Sequence, residues 1–507
     1  MIRLRSLLLL VVLFWSPLIA SAQTRFEKLP LSVNTPDQSE LLPAISSDGK
    51  TLYFTRTRIG LDSGIVWDIW KTNITGDTAF SDADFVGGDL ASMYGVCVTS
   101  IAPDNNTLYL IAKMQSDTPP EERLCITHRT KTGWSIPEPQ HIRNLKAMNG
   151  YSTDYSFGSD GKTLLMALER DSSLGNRDLY VSFFDEVTRS WSEPRWLGPT
   201  VNSRYAEMTP FLASDNKTLY FSSDRPGGIG DVDVYRTTRV DDSWQNWTPP
   251  VNVGESVNRT GRTTYYTEDA RGKYAYITWK PDAGAQSDIY RVRVAQVRAV
   301  ALVHGVVTDA KSKPISARIR YERLSDGKSL GSARSDPTTG AYQINLPAGE
   351  EYAIHAEKDG YFPTSEHLDL TKLTAFESIE KNLTLSKIET GAAVVLRNVF
   401  FETDKAVLLP ASFPELDRVA SLLQQQPDYT LSIAGHTDST GSEPHNIELG
   451  KARATAVRTY IISRGVSPDR LTANSFGSEK PVATNATEEG RAENRRVEFV
   501  LEGKAAR

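Results

Sequence analysis

Between residues 47 and 277 the chain repeats itself, and that repeat constrains its fold more than any other feature. SDGKTLYF at 47–54, PDNNTLYL at 103–110, SDGKTLLM at 159–166 and SDNKTLYF at 214–221 align without gaps, and RGKYAYI at 271–277 is a weaker fifth copy. Position 50 recurs at 106, 162, 217 and 273, in steps of 56, 56, 55 and 56 residues. Such a period means stacked or radially arranged copies of one supersecondary unit. The unit is β. Asp-Gly or Asp-Asn tolerates φ > 0, so each copy reads as a tight hairpin turn entering a strand. Farther along, Asp68-Ile69-Trp70, Asp178-Leu179-Tyr180, Asp233-Val234-Tyr235 and Asp288-Ile289-Tyr290 read as another strand, and Trp134, Trp191 and Trp247 follow three of the copies. Four short strands and their turns fill about 55 residues, the size of one propeller blade. Five blades are counted. Leu29 to Asn34 looks like the end of a unit and is expected to supply the outer strand that closes the ring with the last blade.

These copies, with the loop SDRPGG at 223–228, resemble the TolB-type propeller family over roughly residues 30–295. A residue that recurs in every blade builds the blade, so the repeated aspartates read as structural. Asp224, Asp231 and Asp233 share one Gly-rich loop and could hold a metal, but the structural reading is preferred and no metal or cofactor is expected. Cys97 and Cys125 fall on the first and third strands of blade two, about 10 Å apart at the usual strand spacing. That exceeds the reach of a disulfide, so buried thiols are expected.

The length of 507 residues calls for about three domains, and a net charge of −6 argues against a nucleic-acid partner. Arg3 and Arg5, the apolar run Leu7 to Trp15 and Ala20-Ser21-Ala22 read as an export signal cleaved before Gln23. The run is too short to span a bilayer. No cysteine follows it to carry a lipid.

From Val303 the pattern changes to alternating strands with turns at Gly349 and Gly360. Gly305, Val307, Pro314, Gly340, Tyr342, Gly360 and Tyr361 give residues 300–386 a resemblance to the carboxypeptidase regulatory-like domain, a transthyretin-type β-sandwich that serves as an accessory module. His304, His355 and His367 lack metal-ligand spacing.

After Gly391 the pattern is α/β, read as β-α-β-α-β-β. Strands are expected at 394–401, 429–435, 471–476 and 496–501, and helices at 410–426 and 444–464, the second ended by Gly465. GHTDSTGS at 435–442 gathers His, Asp, Thr and Ser, but no nucleophile elbow surrounds Ser439, and His436 with His445 has no third metal ligand. No catalysis is expected there. FETDK at 401–405, GHTD at 435–438, HNIELGKAR at 445–453 and NRRVEFVL at 494–501 resemble the OmpA C-terminal domain. That family anchors proteins to peptidoglycan through the diaminopimelate of the stem peptide. The resemblance places ligand residues at Asp404, Asp438, Asn446 and Arg453, supported by Thr437, His436, Arg495 and Arg496. His445 and Gly450 depart from the family's usual Tyr and Ser. A carboxylate at a strand end can pair the ligand's ammonium, and a guanidinium can grip its carboxylate with two prongs.

The expected architecture is therefore multidomain: signal peptide 1–22, five-bladed β-propeller 23–297, β-sandwich 298–388 and OmpA-like α/β domain 389–507. The order resembles PorE-like envelope proteins of Bacteroidetes. A non-enzymatic periplasmic protein is expected, held to peptidoglycan, with a protein partner on the propeller and outer-membrane association through a partner. The alternative is a carbohydrate-binding or hydrolytic propeller.

Overall fold

The computed structural model describes residues 26–59, 65–76, 79–86, 90, 93–114, 122–145, 153–171, 173–294, 298–388, 393–396, 398–402 and 404–504. The export signal read at 1–22 lies outside them. The chain is multidomain and mostly β, with a small α/β domain at its C-terminal end.

The repeat folds into five separate antiparallel sheets. Sheet one contains Glu40–Ile45, Thr51–Ile59 and Ile65–Thr75, and sheet two Met93–Ile101, Thr107–Met114 and Glu122–His128. Sheet three contains Asp154–Phe157, Thr163–Leu168 and Asp178–Asp185, and sheet four Glu207–Leu212, Thr218–Ser223 and Asp233–Thr238. Each adds short outer strands. Sheet five contains Arg262–Glu268, Tyr274–Lys280 and Asp288–Arg293, and its outer strand is Phe26–Lys28 from the start of the described chain. The first strand of each sheet touches that of the next, and sheet five returns to sheet one, so the order is cyclic. An apolar cluster fills every joint; Trp191, 1% exposed, sits in the joint between sheets two and three.

The repeated turns take the backbone their sequence demands. Gly49, Asn105, Gly161, Asn216 and Gly272 all lie at φ between 53° and 71°. The closing strand lies earlier than expected. Phe26–Lys28 makes the ladder, while Leu29 to Asn34 turns back and Asn34 clamps Ile289, accepting from its N–H at 2.8 Å and donating to its carbonyl at 2.9 Å. Asn202 clamps Leu179 and Asn258 clamps Val234 in the same way. A Val-Asn pair at 33–34, 201–202 and 257–258 was the signal for it. Cys97 and Cys125 are buried thiols on strands separated by Thr107–Met114, and burial pushes the Cys97 thiol up to about 12.

Two four-stranded sheets enclose the middle core around Val303, Ile319, Ile344 and Ile354. This unit sits on the face built from the repeated turns. Asn345 donates to Ser47 at 3.0 Å, Asn106 to the Arg334 carbonyl at 3.0 Å, Tyr321 to the Ser159 carbonyl at 3.2 Å, and Arg298 pairs with Asp215 at 2.8 Å and with Glu268. All five sheets are therefore touched from one side. At the opposite ends of the first strands, carboxylates pair with arginines: Glu40 with Arg56, Asp154 with Arg177, Glu207 with Arg225, of which Glu40 and Glu207 hold the same place in the repeat.

In the C-terminal sheet the order is Ala393–Leu396, Val497–Lys504, Tyr429–His436, Leu471–Gly477, with only the last pair parallel. Helices α1 (Phe413–Gln425), α2 (Glu443–Ser463) and α3 (Glu488–Asn494) complete it. Helix α3 was not foreseen, although Thr487 before Glu488-Glu489 is a helix-start signal; its side chain accepts from the Gly490 N–H. The first strand is also shorter than expected, because Phe401 forms an isolated bridge with Leu408 instead. Phe362 of the middle unit joins the C-terminal core. Beside it His355 lies between Glu322, 3.1 Å from Nε2, and Glu415, 3.7 Å from Nδ1, while Arg418 reaches Glu322 at 3.3 Å and Glu415 at 2.8 Å. Neither ring nitrogen makes a well-directed hydrogen bond. Among the described residues no helix is long and apolar enough to cross a membrane.

Candidate functional site

Strand Tyr429–His436 runs into the loop 437–442, which turns into α2. Close packing of α2 on this strand depends on glycines. A Cβ at Gly435 would lie 2.0 Å from the Gly450 carbonyl oxygen. Gly435 is therefore the residue that lets the helix approach, while at Gly450 an added Cβ would meet the Ser475 hydroxyl.

Asp438 is 8% exposed. Its Oδ1 accepts from the Thr440 N–H at 2.8 Å and its Oδ2 from Arg495 at 2.7 Å. Burial raises its carboxyl, but these two contacts outweigh burial and hold it below the usual carboxylate range. Arg495 also reaches Glu488 of α3 at 2.8 Å. Read from sequence as a supporting residue, it is the direct partner of Asp438.

Arg453, nearly three turns into α2, is 9% exposed. Its Nε donates to the Lys405 carbonyl at 3.1 Å and its guanidinium lies 5.1 Å from the Phe401 ring centre. Burial and the charge of Arg495 lower its pKa, while Asp404 and Asp438 act against them. The structure thus brings Asp404, Asp438 and Arg453 within electrostatic reach without pairing Arg453 to Asp438. Asn446 is buried and donates to the Asp438 carbonyl at 3.4 Å. Asp404, at φ 56°, pairs with His445 Nε2 at 3.0 Å on the exposed rim.

The loop has a buried floor. The Thr437 N–H donates to the Gly477 carbonyl at 2.9 Å and its hydroxyl to the Asp438 carbonyl at 3.0 Å. His436, 1% exposed, stacks on Phe476 with ring centres 5.4 Å apart and places Nε2 3.5 Å from Glu498. Arg496 holds Glu498 at 2.6 Å. The His436 contact, then Arg496, depress the Glu498 carboxyl to about 2. A depressed carboxyl stabilises the fold above its unfolded pKa, near 4.3, and loses that contribution as pH falls toward 2. The stability gap between the chain and its Glu498→Gln variant should close across that window in thermal melts; a gap constant from pH 6 to pH 2 would contradict the contact. Glu498 carried no sequence signal of its own. No group of three or more His, Cys, Asp or Glu side chains able to hold a metal occurs among the described residues.

Comparison with known proteins places this domain. Residues 400–495 match the OmpA family. The OmpA-like domain is shared with relatives whose names speak of the cell wall. The peptidoglycan-binding protein ArfA of Mycobacterium bovis is 35% identical over 199 residues, covering 34% of this chain and 60% of that protein. The peptidoglycan-associated lipoprotein of Rhizobium meliloti is 40% identical over 105 residues, 21% of this chain and 60% of that protein. A crystal structure of the peptidoglycan-associated lipoprotein from Burkholderia pseudomallei aligns with 20% of this chain and 88% of that one, at 35% identity and a TM-score of 0.20. The chain thus spans about 60% of the length of these curated relatives.

Proposed function

We propose that the OmpA-like domain anchors the chain non-covalently to peptidoglycan by binding the diaminopimelate of the stem peptide. Asp438 and Asp404 take the ammonium, Arg453 takes the adjacent carboxylate, and Asn446 fixes the Asp438 loop. Thr437, His436, Arg495 and Arg496 support them. The observation that carries this is the state of the charged pair: Asp438 and Arg453 are buried and opposite in charge, yet each is held by a group other than its counterpart. A zwitterion with both charges on one carbon satisfies both. The relatives' names speak for the same polymer.

In this reading residues 389–507 are the anchor, residues 298–388 a carboxypeptidase regulatory-like spacer, and residues 23–297 a five-bladed propeller that presents a surface to a protein partner. The cyclic order of five four- or five-stranded sheets supports the propeller. The protein is exported by the cleaved signal at 1–22, resides in the periplasm, and meets the outer membrane through a partner. Its role is binding. The carboxylates that open the first strands of sheets one, three and four are each paired with an arginine, Glu40 with Arg56, Asp154 with Arg177 and Glu207 with Arg225.

Asp438→Ala combined with Arg453→Ala should abolish co-sedimentation with purified peptidoglycan. Each charged hydrogen bond contributes roughly 1.5–3 kcal/mol, so losing both charges reduces affinity by at least a hundredfold. Full co-sedimentation of the folded double variant would remove the assignment.

A further inference from the structure

His445 departs from the family pattern, and the structure gives it a specific contact. Asp404 sits in the left-handed backbone region, at φ 56°. A non-glycine residue stays there only when its surroundings determine it. Its loop is closed by the Phe401–Leu408 bridge and by the Glu402 N–H donating to the Val407 carbonyl at 3.0 Å. Two side chains of α2 then tie the loop to the helix. Arg453 donates to the Lys405 carbonyl, and His445, eight residues earlier on α2, meets Oδ1 of Asp404 at 3.0 Å. The first tie orients the guanidinium, and the second orients the carboxylate.

We propose that His445 is a positioning residue of the ligand site, holding one oxygen of Asp404 so that the other meets the ammonium of diaminopimelate. The proposal rests on the peptidoglycan reading above. His445 touches Asp404 and not the ligand, so it acts through that carboxylate. The contact is exposed, with half of the His445 side chain and 68% of that of Asp404 open to solvent. Its effect on affinity is correspondingly modest, roughly fivefold, the most an exposed pair supplies. Glutamine carries an amide N–H at the distance of Nε2 and replaces the imidazole as donor. Alanine does not.

The test is calorimetric titration of the full exported chain with the soluble tripeptide L-Ala-γ-D-Glu-meso-diaminopimelate. His445→Ala should weaken binding roughly fivefold, and His445→Gln should recover most of that loss. In the Asp404→Ala background, His445→Ala should add nothing, because the two act as one unit. Unchanged affinity in His445→Ala, equal losses in the alanine and glutamine variants, or additive losses in the double variant would each overturn the positioning role while leaving the site intact. Failure of the unmodified chain to bind the tripeptide would instead overturn the peptidoglycan reading and this role with it.

Discussion

Arg418→Ala should destabilise the chain by about 3 kcal/mol, as removal of one member of a buried ion cluster does. The figure is the lower end of that range because a fifth of the Arg418 side chain remains exposed. Arg418 touches both Glu322 of the middle unit and Glu415 of α1, whose side chains are 11% and 4% exposed. Burial lowers its pKa, but the two carboxylates outweigh burial and raise it. Without it two carboxylates face a single imidazole, His355, across the contact between middle and C-terminal units. Glu322→Gln is expected to cost much less, since Arg418 keeps Glu415. Chemical denaturation of the three proteins checks the order. A change below about 0.5 kcal/mol for Arg418→Ala, the range of ordinary surface substitutions, would show the cluster to be well solvated.

Gly435→Ala should be nearly as damaging, and it should also empty the ligand site. Its Cβ would meet the carbonyl oxygen and carbon of Gly450 at 2.0 and 2.7 Å, both backbone atoms of α2 that cannot turn aside. The helix must move outward, at a cost near the top of the roughly 1–3 kcal/mol typical of overpacking. Because α2 carries Asn446 and Arg453, the same shift separates them from the loop at 437–442. Gly450→Ala should be milder: its closest obstacle, at 2.3 Å, is the Ser475 hydroxyl, which can rotate. Melting temperatures and tripeptide affinity should fall in the order unmodified chain, Gly450→Ala, Gly435→Ala. The reverse order of the two variants would mean that the helix does not cross the strand at these glycines.

The repeat was legible because each copy carries its own turn chemistry. A glycine or asparagine at φ > 0 every 55 or 56 residues is a local demand that the sequence states openly. The Asn34, Asn202 and Asn258 clamps were equally local, yet Leu29 to Asn34 read as a closing strand and the Val-Asn pairs at 201–202 and 257–258 carried no reading. What stayed hidden depends on units meeting. Nothing around Asp104 or Asn106 says that Arg334, some 230 residues later, covers them. His355 read as an isolated histidine because Glu415 and Arg418 lie on another unit. In the candidate site, Asp438 and Arg453 could be placed by motif, whereas the direct partner of Asp438 could not. Arg495 lies 57 residues on, after a short helix whose only mark was a threonine before two glutamates.

The pairing of Phe26–Lys28 with Asp288–Arg293 sets the order in which the chain can finish folding. Lys28 and Asp288, which meet at 2.6 Å, are separated by 260 residues. A chain that emerges from its amino end delivers this outermost strand first among the five sheets and its partner last among them. Until residue 293 is out, sheet five lacks its edge and sheet one lacks the neighbour that covers Leu52 and Phe54. Local sheets can form early, but closure waits for this distant contact, and contacts of such separation make folding slow. During that interval an unpaired strand edge is open to other chains. A protein built this way depends on its last sheet to protect its first.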